Sequence, residues 1–168
     1  MSSMRQSRSD RSEYYHIVQS PVGELYLIFG QSSLISISFE KPSGIIPRET
    51  KQSLQAEKEL EEYFTAGRRH FTVKTGSTEG TDFEREVWQT LQEVPYGETR
   101  TYKWVAEKIG KPHAFRAVGN ALGKNPIPII YPCHRIIESD GSIGGYSSGI
   151  DIKRRLLEIE YYTKLSAS

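Results

Sequence analysis

The sequence predicts an α/β chain of the α+β kind: a small N-terminal antiparallel-sheet subdomain, then a mainly helical C-terminal subdomain containing a helix-turn-helix. Three observations predict it. Runs of β-branched and aromatic residues fill the chain up to Phe39, amphipathic runs of helical spacing dominate beyond Thr81, and a stretch of Gly, Ser and Thr, Gly76 to Gly80, separates them. The resulting division is a tail at 1–12, a sheet subdomain at 13–80 and a helical subdomain at 81–168.

Within the first part, Tyr14 to Gln19, Leu25 to Phe29 and Leu34 to Phe39 read as antiparallel strands; in the last, Ile35, Ile37 and Phe39 alternate with Ser36 and Ser38. Ser20-Pro21-Val22-Gly23 carries the residues a hairpin turn needs. A loop is expected at Lys41 to Pro47. A helix is expected at Gln52 to Thr65, with Ala56, Leu60, Tyr63 and Phe64 on one side and Gly67 as its stop. Phe71 to Thr75 reads as a further strand.

In the second part, Thr81 and Glu84 form a capping-box pattern ahead of the helical face Phe83, Val87, Trp88, Leu91 and Val94. Pro95-Tyr96-Gly97 ends that helix. A short helix, Tyr102 to Ile109, follows the cap Thr101 and stops at Gly110, and a second, about Ala114 to Leu122, follows the turn Lys111-Pro112-His113. Two short helices joined by a tight Gly-containing turn make a helix-turn-helix pattern. The second is rich in small residues, Ala114, Ala117, Gly119 and Ala121, and carries the cation Arg116. Small side chains let a backbone approach a groove, and they equally permit close helix packing. The proline-interrupted apolar run Asn125 to Ile130 then leads into Tyr131-Pro132-Cys133-His134-Arg135. A glycine-rich loop, Gly144 to Gly149, precedes a final helix of about Asp151 to Tyr162.

Composition narrows the function. No stretch approaches the roughly 18–20 apolar residues that span a bilayer, and Met1 to Ser12 lacks the apolar centre of a signal peptide, so no membrane partner and a cytoplasmic or nuclear location are expected. One cysteine cannot form an internal disulfide, and the four histidines show no metal-ligand spacing, so neither metal nor cofactor is expected. The net charge is only +1, yet between Gly97 and Ile136 seven basic residues face two acidic ones, a bias that suits a polyanion and also suits an ordinary solvated face.

Most free cysteines are inert buried hydrophobes, but the neighbours of Cys133 argue for reactivity. A thiol with a pKa of about 8.5 needs a base or a positive charge nearby to act as a nucleophile, and His134 and Arg135 supply both kinds. A carboxylate that orients the imidazole would complete the set, and spacing leaves Glu160, Glu138 and Glu158 as candidates.

Pro132-Cys133-His134-Arg135, preceded by Asn125-Pro126-Ile127-Pro128-Ile129-Ile130 and followed by Gly145-Tyr146-Ser147, resembles the active-site segment of the O6-alkylguanine-DNA alkyltransferases. The likeness runs from about Thr81 to Glu160 and includes Arg116-Ala117-Val118-Gly119 and Leu156-Leu157-Glu158-Ile159-Glu160. It implies irreversible transfer of an alkyl group from O6-alkylguanine in double-stranded DNA onto Cys133, by a monomer without cofactor. His134 is then the base acting through a water and Glu160 the carboxylate behind it. Tyr102, Asn125, Ile136, Tyr146 and Ser147 surround the flipped base, with the Ile136 carbonyl reading its exocyclic amine. Ala114, Phe115, Arg116, Ala117, Gly119 and Arg135 meet the DNA, with Arg116 filling the gap in the stack. Phe115 and Ser148 depart from the family pattern, where small residues and glycine are usual. Two rivals, a thiol hydrolase or redox sensor and a transcription regulator, leave either the helix-turn-helix or the thiol segment unexplained. A non-catalytic damage binder would lack the cysteine.

Overall fold

A computed structural model describes residues 13–76 and 79–167; the tail expected at 1–12 lies outside them. The hairpin forms as expected. Strands β1 (Tyr14–Ser20) and β2 (Gly23–Phe29) pair antiparallel from Tyr14 opposite Phe29 to Ser20 opposite Gly23. Gly23 sits at φ 102°, which L side chains rarely adopt, and the Ser20 hydroxyl donates to its carbonyl at 2.6 Å. Strand β3 (Leu34–Ser38) pairs antiparallel with β2 and stops one residue short of the expected Phe39. Within the expected loop, β4 (Ile46–Pro47) adds a short parallel strand beside β1, giving the order β3-β2-β1-β4. A two-residue strand containing proline has no periodicity to read.

Helix α1 (Lys51–Ala66) is bounded by a capping box between Thr50 and Ser53 and by Gly67 in the left-handed conformation at φ 69°. It buries Ala56, Leu60 and Tyr63 with the inward residues of the sheet, Leu25, Leu27, Phe29 and Leu34. Each of the leucines and Phe29 contributes about 1.5–3 kcal/mol. The same core runs on past residue 80 through Tyr96, Ile127, Ile129 and Leu156. Phe71 to Thr75 is not a ladder strand. It makes one bridge, Leu34 to Thr75, and is held by the buried Glu59 carboxylate, which accepts from the Thr72 and Val73 amides.

Helix α2 (Asp82–Leu91) starts at the expected box of Thr81 and Glu84 and buries Val87, Trp88 and Leu91. The helix-turn-helix is α3 (Tyr102–Lys108), capped by Thr101, and α4 (Phe115–Gly123). They pack on α2 through Val105, Ala106, Val118 and Leu122, and the Trp88 indole donates to the Ala121 carbonyl at 2.8 Å. Two short strands, β5 (Arg100–Thr101) and β6 (Ile136–Ile137), pair in parallel and tie the start of α3 to the segment after Cys133. Helix α5 (Ile150–Ser166) ends four residues beyond the expected Tyr162 and lays Leu156 into the first core. Among the described residues no helix is long and apolar enough to cross a membrane.

Candidate active site

The apolar run before Cys133 is buried and sharply turned. Ile127 and Ile129 are almost fully buried, and Ile129 has φ 76°, a strained value for a β-branched residue. Asn125 holds this turn at both ends: its Nδ2 donates to the Tyr131 carbonyl at 2.7 Å and its Oδ1 accepts from the Ile127 amide at 3.0 Å. The side chain thereby links the C-terminal end of α4 to the residues that deliver the thiol. Pro132 then leads into one 3-10 turn, Cys133–Arg135, so three adjacent side chains point in three directions.

Cys133 is buried, with 6% of its surface exposed. Two cavities of about 360 and 370 Å³ adjoin it, and both are lined by Leu122, Cys133, Tyr146 and Ser147. One also takes in Tyr102, Gly119 and Gly145; the other takes in Asn125, Pro128, Ser148 and the β3 residues Ser36, Ile37 and Ser38. Burial pushes the thiol pKa up, while Asn125, Tyr146 and the cation of Lys153 pull against it. The Tyr146 hydroxyl faces the sulfur but is buried without a partner of full hydrogen-bond geometry among the described residues.

His134 is fully buried, and its Nε2 lies 2.5 Å from Glu160 Oε2. Of the three carboxylates that spacing left open, Glu160 is the one against the imidazole, while Glu138 and Glu158 are exposed. Glu160 is saturated with donors. Its Oε1 accepts from the Gly97 amide at 3.0 Å and Arg135 Nε at 2.8 Å; its Oε2 accepts from His134, from Arg135 Nη2 at 3.1 Å and from the Tyr63 hydroxyl at 2.5 Å. Burial raises the Glu160 pKa, but His134 and Arg135 outweigh it and hold the carboxyl well below the usual carboxylate range. An ionised carboxylate only accepts, so Nε2 carries the proton and Nδ1 is the acceptor. Nδ1 is buried and has no protein partner among the described residues. Burial lowers the His134 pKa against the pull of Glu160, so the imidazole rests neutral and is free to take a proton.

Arg135 points inward and not toward DNA. Its expected contact with DNA is not available, because the guanidinium is buried, paired with Glu160 and donating to the Val94 carbonyl at 2.8 Å. A cation inside a dry core must be neutralised, and Glu160 does so. The other expected DNA-facing residues lie on α4 or just before it. Arg116, Ala117 and Phe115 are exposed, Phe115 with 49% of its surface, and Ala114 and Gly119 are half-buried. A groove of about 740 Å³ runs past Phe115, Arg116, Lys103 and His113 to Tyr102 and Gly119, which also line the cavity at the thiol. Arg116 makes no ion pair among the described residues, whereas Arg100, Lys103, Lys108 and Lys124 each have an acidic neighbour.

Two residues of the site are not among those expected from the sequence. Lys153 is almost fully buried on α5; its Nζ donates to the Ile136 carbonyl at 2.7 Å and the Gly145 carbonyl at 3.1 Å, pinning the glycine-rich loop beside the thiol. Burial lowers its pKa to about 8 even though Cys133 and Glu138 pull it up. The Ile136 carbonyl, expected to read the base, therefore already accepts a bond from Lys153. Tyr63, on α1, was readable as a core residue but not as a donor to Glu160. A lysine at helical spacing among apolar residues, as Lys153 is between Ile152 and Leu156, is the one sign that could have been noticed.

Comparison with known proteins fits this geometry. Residues 82–162 match the family model described as 6-O-methylguanine DNA methyltransferase, DNA binding domain. The chain is 47% identical over 154 residues to a methylated-DNA–protein-cysteine methyltransferase of Methanosarcina barkeri, covering 88% of this chain and 96% of that relative. It is 36% identical over 157 residues to the constitutive methylated-DNA–protein-cysteine methyltransferase of Bacillus subtilis, covering 88% and 94%. A crystal structure of Mycobacterium tuberculosis OGT in complex with DNA superposes with a TM-score of 0.82 at 39% identity, covering 89% of this chain and 94% of the other.

Proposed function

Since the chain belongs to the methylated-DNA–protein-cysteine methyltransferase family, we propose the following residue roles for its reaction. The chain repairs DNA by alkyl transfer: an alkyl group leaves the O6 atom of guanine in double-stranded DNA and ends on Cys133. The observation that carries this reading is a buried thiol, bordered by two cavities, on the same turn as a buried imidazole whose Nε2 is fixed by Glu160 at 2.5 Å.

The α4 surface meets the DNA through Ala114, Phe115, Arg116, Ala117 and Gly119. An alkyl carbon on O6 is inside the duplex, so the nucleotide must be extruded at a cost of a few kcal/mol. Arg116, long, cationic and without an ion pair among the described residues, takes the vacated place in the stack and offsets part of that cost. Tyr102, which lines both the groove and the thiol cavity, guides the base inward and hydrogen-bonds it. The base lies beside Tyr146 and Ser147, and the carbonyls of Cys133 and Ile136 accept from its exocyclic amine. Asn125 keeps the thiol turn joined to α4.

The thiol rests protonated, because burial raises its pKa. His134 Nδ1 takes the proton through a water, and Glu160 stabilises the resulting imidazolium. The sulfur then forms a bond to the alkyl carbon as the C–O6 bond breaks; guanine leaves with that electron pair and receives the proton the thiol gave up. A Ser147 hydroxyl or a loop amide supports the negative charge that develops on O6. The product is a thioether, which water does not cleave, so each chain acts once. Larger alkyl groups and O4-methylthymine are further substrates to the extent that the cavity shared with Ser148 and β3 admits them. The protein acts as a monomer where the DNA is, in the cytoplasm or a nucleus.

Cys133→Ala separates the roles. It should abolish transfer and leave affinity for duplex DNA unchanged, measured by single-turnover repair and by fluorescence anisotropy; a comparable loss of affinity would contradict a thiol that acts only in chemistry.

A further inference from the structure

The carboxylate behind His134 is shared with a residue from the other half of the chain. Tyr63 lies on α1, is completely buried, and donates its hydroxyl to Glu160 Oε2 at 2.5 Å. His134 Nε2 addresses that same oxygen at the same distance. Tyr63 is outside residues 82–162, so the segment matching the DNA-binding family model contains Cys133, His134 and Glu160 but not this donor. The phenol is held by ring contacts on several sides: edge-on to Phe64 at 4.9 Å and to Tyr96 at 5.7 Å between centroids. A hydroxyl that only filled core space would not need its oxygen aimed at a carboxylate already bonded to Arg135 and the Gly97 amide.

We propose that Tyr63 is a positioning residue for the transfer step: its hydroxyl competes with His134 for Glu160 Oε2 and so sets how much of the carboxylate's charge the imidazole receives. The physical reason is the finite charge on one oxygen. Each strong donor withdraws electron density from it, and an imidazolium is stabilised by what remains. The charged and titratable groups around His134 are Glu160 and Lys153 on α5, Arg135 and Cys133 on its own turn, and Tyr63 and Tyr96 from the opposite side. Arg135 already neutralises the charge of Glu160 and Lys153 adds a second cation, so Tyr63 adjusts a nearly balanced site. Without its hydroxyl, Oε2 would hold the imidazolium more strongly and His134 would be protonated, hence blocked as a base, at higher pH.

The inference rests on the reading of His134 as the base, and the first of its two readouts needs no DNA. His134 is followed by nitrogen-15 NMR of the imidazole from acid to neutral pH in the full chain. Single-turnover repair of a duplex bearing one O6-methylguanine is followed over the same range. Tyr63→Phe should raise the titration midpoint of His134 and move the acid limb of the rate profile upward by about one pH unit, a tenfold change in proton affinity. Replacing Tyr63 by 3-fluorotyrosine, a stronger donor of nearly the same shape, should move both downward. Tyr96→Phe, whose lost hydroxyl makes no bond to Glu160, should leave both in place. A uniform loss of rate in Tyr63→Phe with an unmoved midpoint, or equal midpoints with tyrosine and 3-fluorotyrosine, would overturn the proposal. A His134 midpoint that shifts while the acid limb of the repair rate stays in place would instead overturn the assignment of His134 as the base.

Discussion

Replacing Glu160 by Gln should damage both stability and chemistry, because five donors converge on this carboxylate. A glutamine side chain offers one accepting oxygen and turns an NH2 group toward donors. It also leaves Arg135 buried without a counter-charge, with 8% of its side chain exposed and no other acidic partner among the described residues. Breaking one side of a buried ion pair typically destabilises by about 3–5 kcal/mol. At roughly 2–4 °C per kcal/mol for a chain of this size, Glu160→Gln should melt roughly 6–20 °C below the wild type at pH 7. The pH dependence has a definite sign. The folded-state pKa of Glu160 is depressed, so its contribution is complete above the unfolded carboxylate value of about 4.3 and is lost as pH falls toward the folded value. The gap between wild type and variant should therefore be flat from pH 5 to 8 and shrink below about pH 4. Circular-dichroism melts across that range measure it. Melting within about 1 °C of wild type at pH 7 would refute the picture of a carboxylate that neutralises Arg135.

Arg116→Ala should slow repair of duplex DNA by about ten- to a hundredfold while leaving the reaction with free O6-benzylguanine within about twofold, since only the duplex requires extrusion of the base. Equal losses on both substrates, in paired single-turnover assays, would remove Arg116 from the stack. Lys153→Met should raise the thiol pKa and slow transfer by about tenfold, because it removes the cation near Cys133 and frees the Gly145 carbonyl. The pH dependence of iodoacetamide labelling reads the thiol directly, and an unmoved profile would confine Lys153 to holding the loop.

Much of this fold was legible because its elements are locally consistent. The Thr81–Glu84 box, the Thr101 cap and the left-handed Gly67 each satisfied or released backbone groups where the pattern put a helix end. Strand β4 and the Phe71 to Thr75 segment are not legible for the opposite reason. The first is too short to have a period, and the second is fixed by the Glu59 carboxylate, a tertiary contact that no local run encodes. In the site, Cys133, His134, Glu160, Tyr102 and Asn125 could be named because they sit in recognisable segments. Arg135 shares the segment, yet its direction depends on the 3-10 turn, which sends it inward to Glu160 rather than out to DNA. Tyr63 and Lys153 reach the site from helices whose patterning marks them only as a core aromatic and an ordinary charge.

The central claim is that the alkyl group ends on Cys133 and stays there. A duplex carrying one O6-methylguanine, titrated into the protein and followed by intact-protein mass and peptide mapping, tests it most directly. The expected result is a gain of one CH2 unit located on Cys133, saturating at one equivalent of DNA, with guanine restored and no reaction with a second dose. Restored guanine with unmodified protein, repair beyond one equivalent, or modification at any other residue would contradict it.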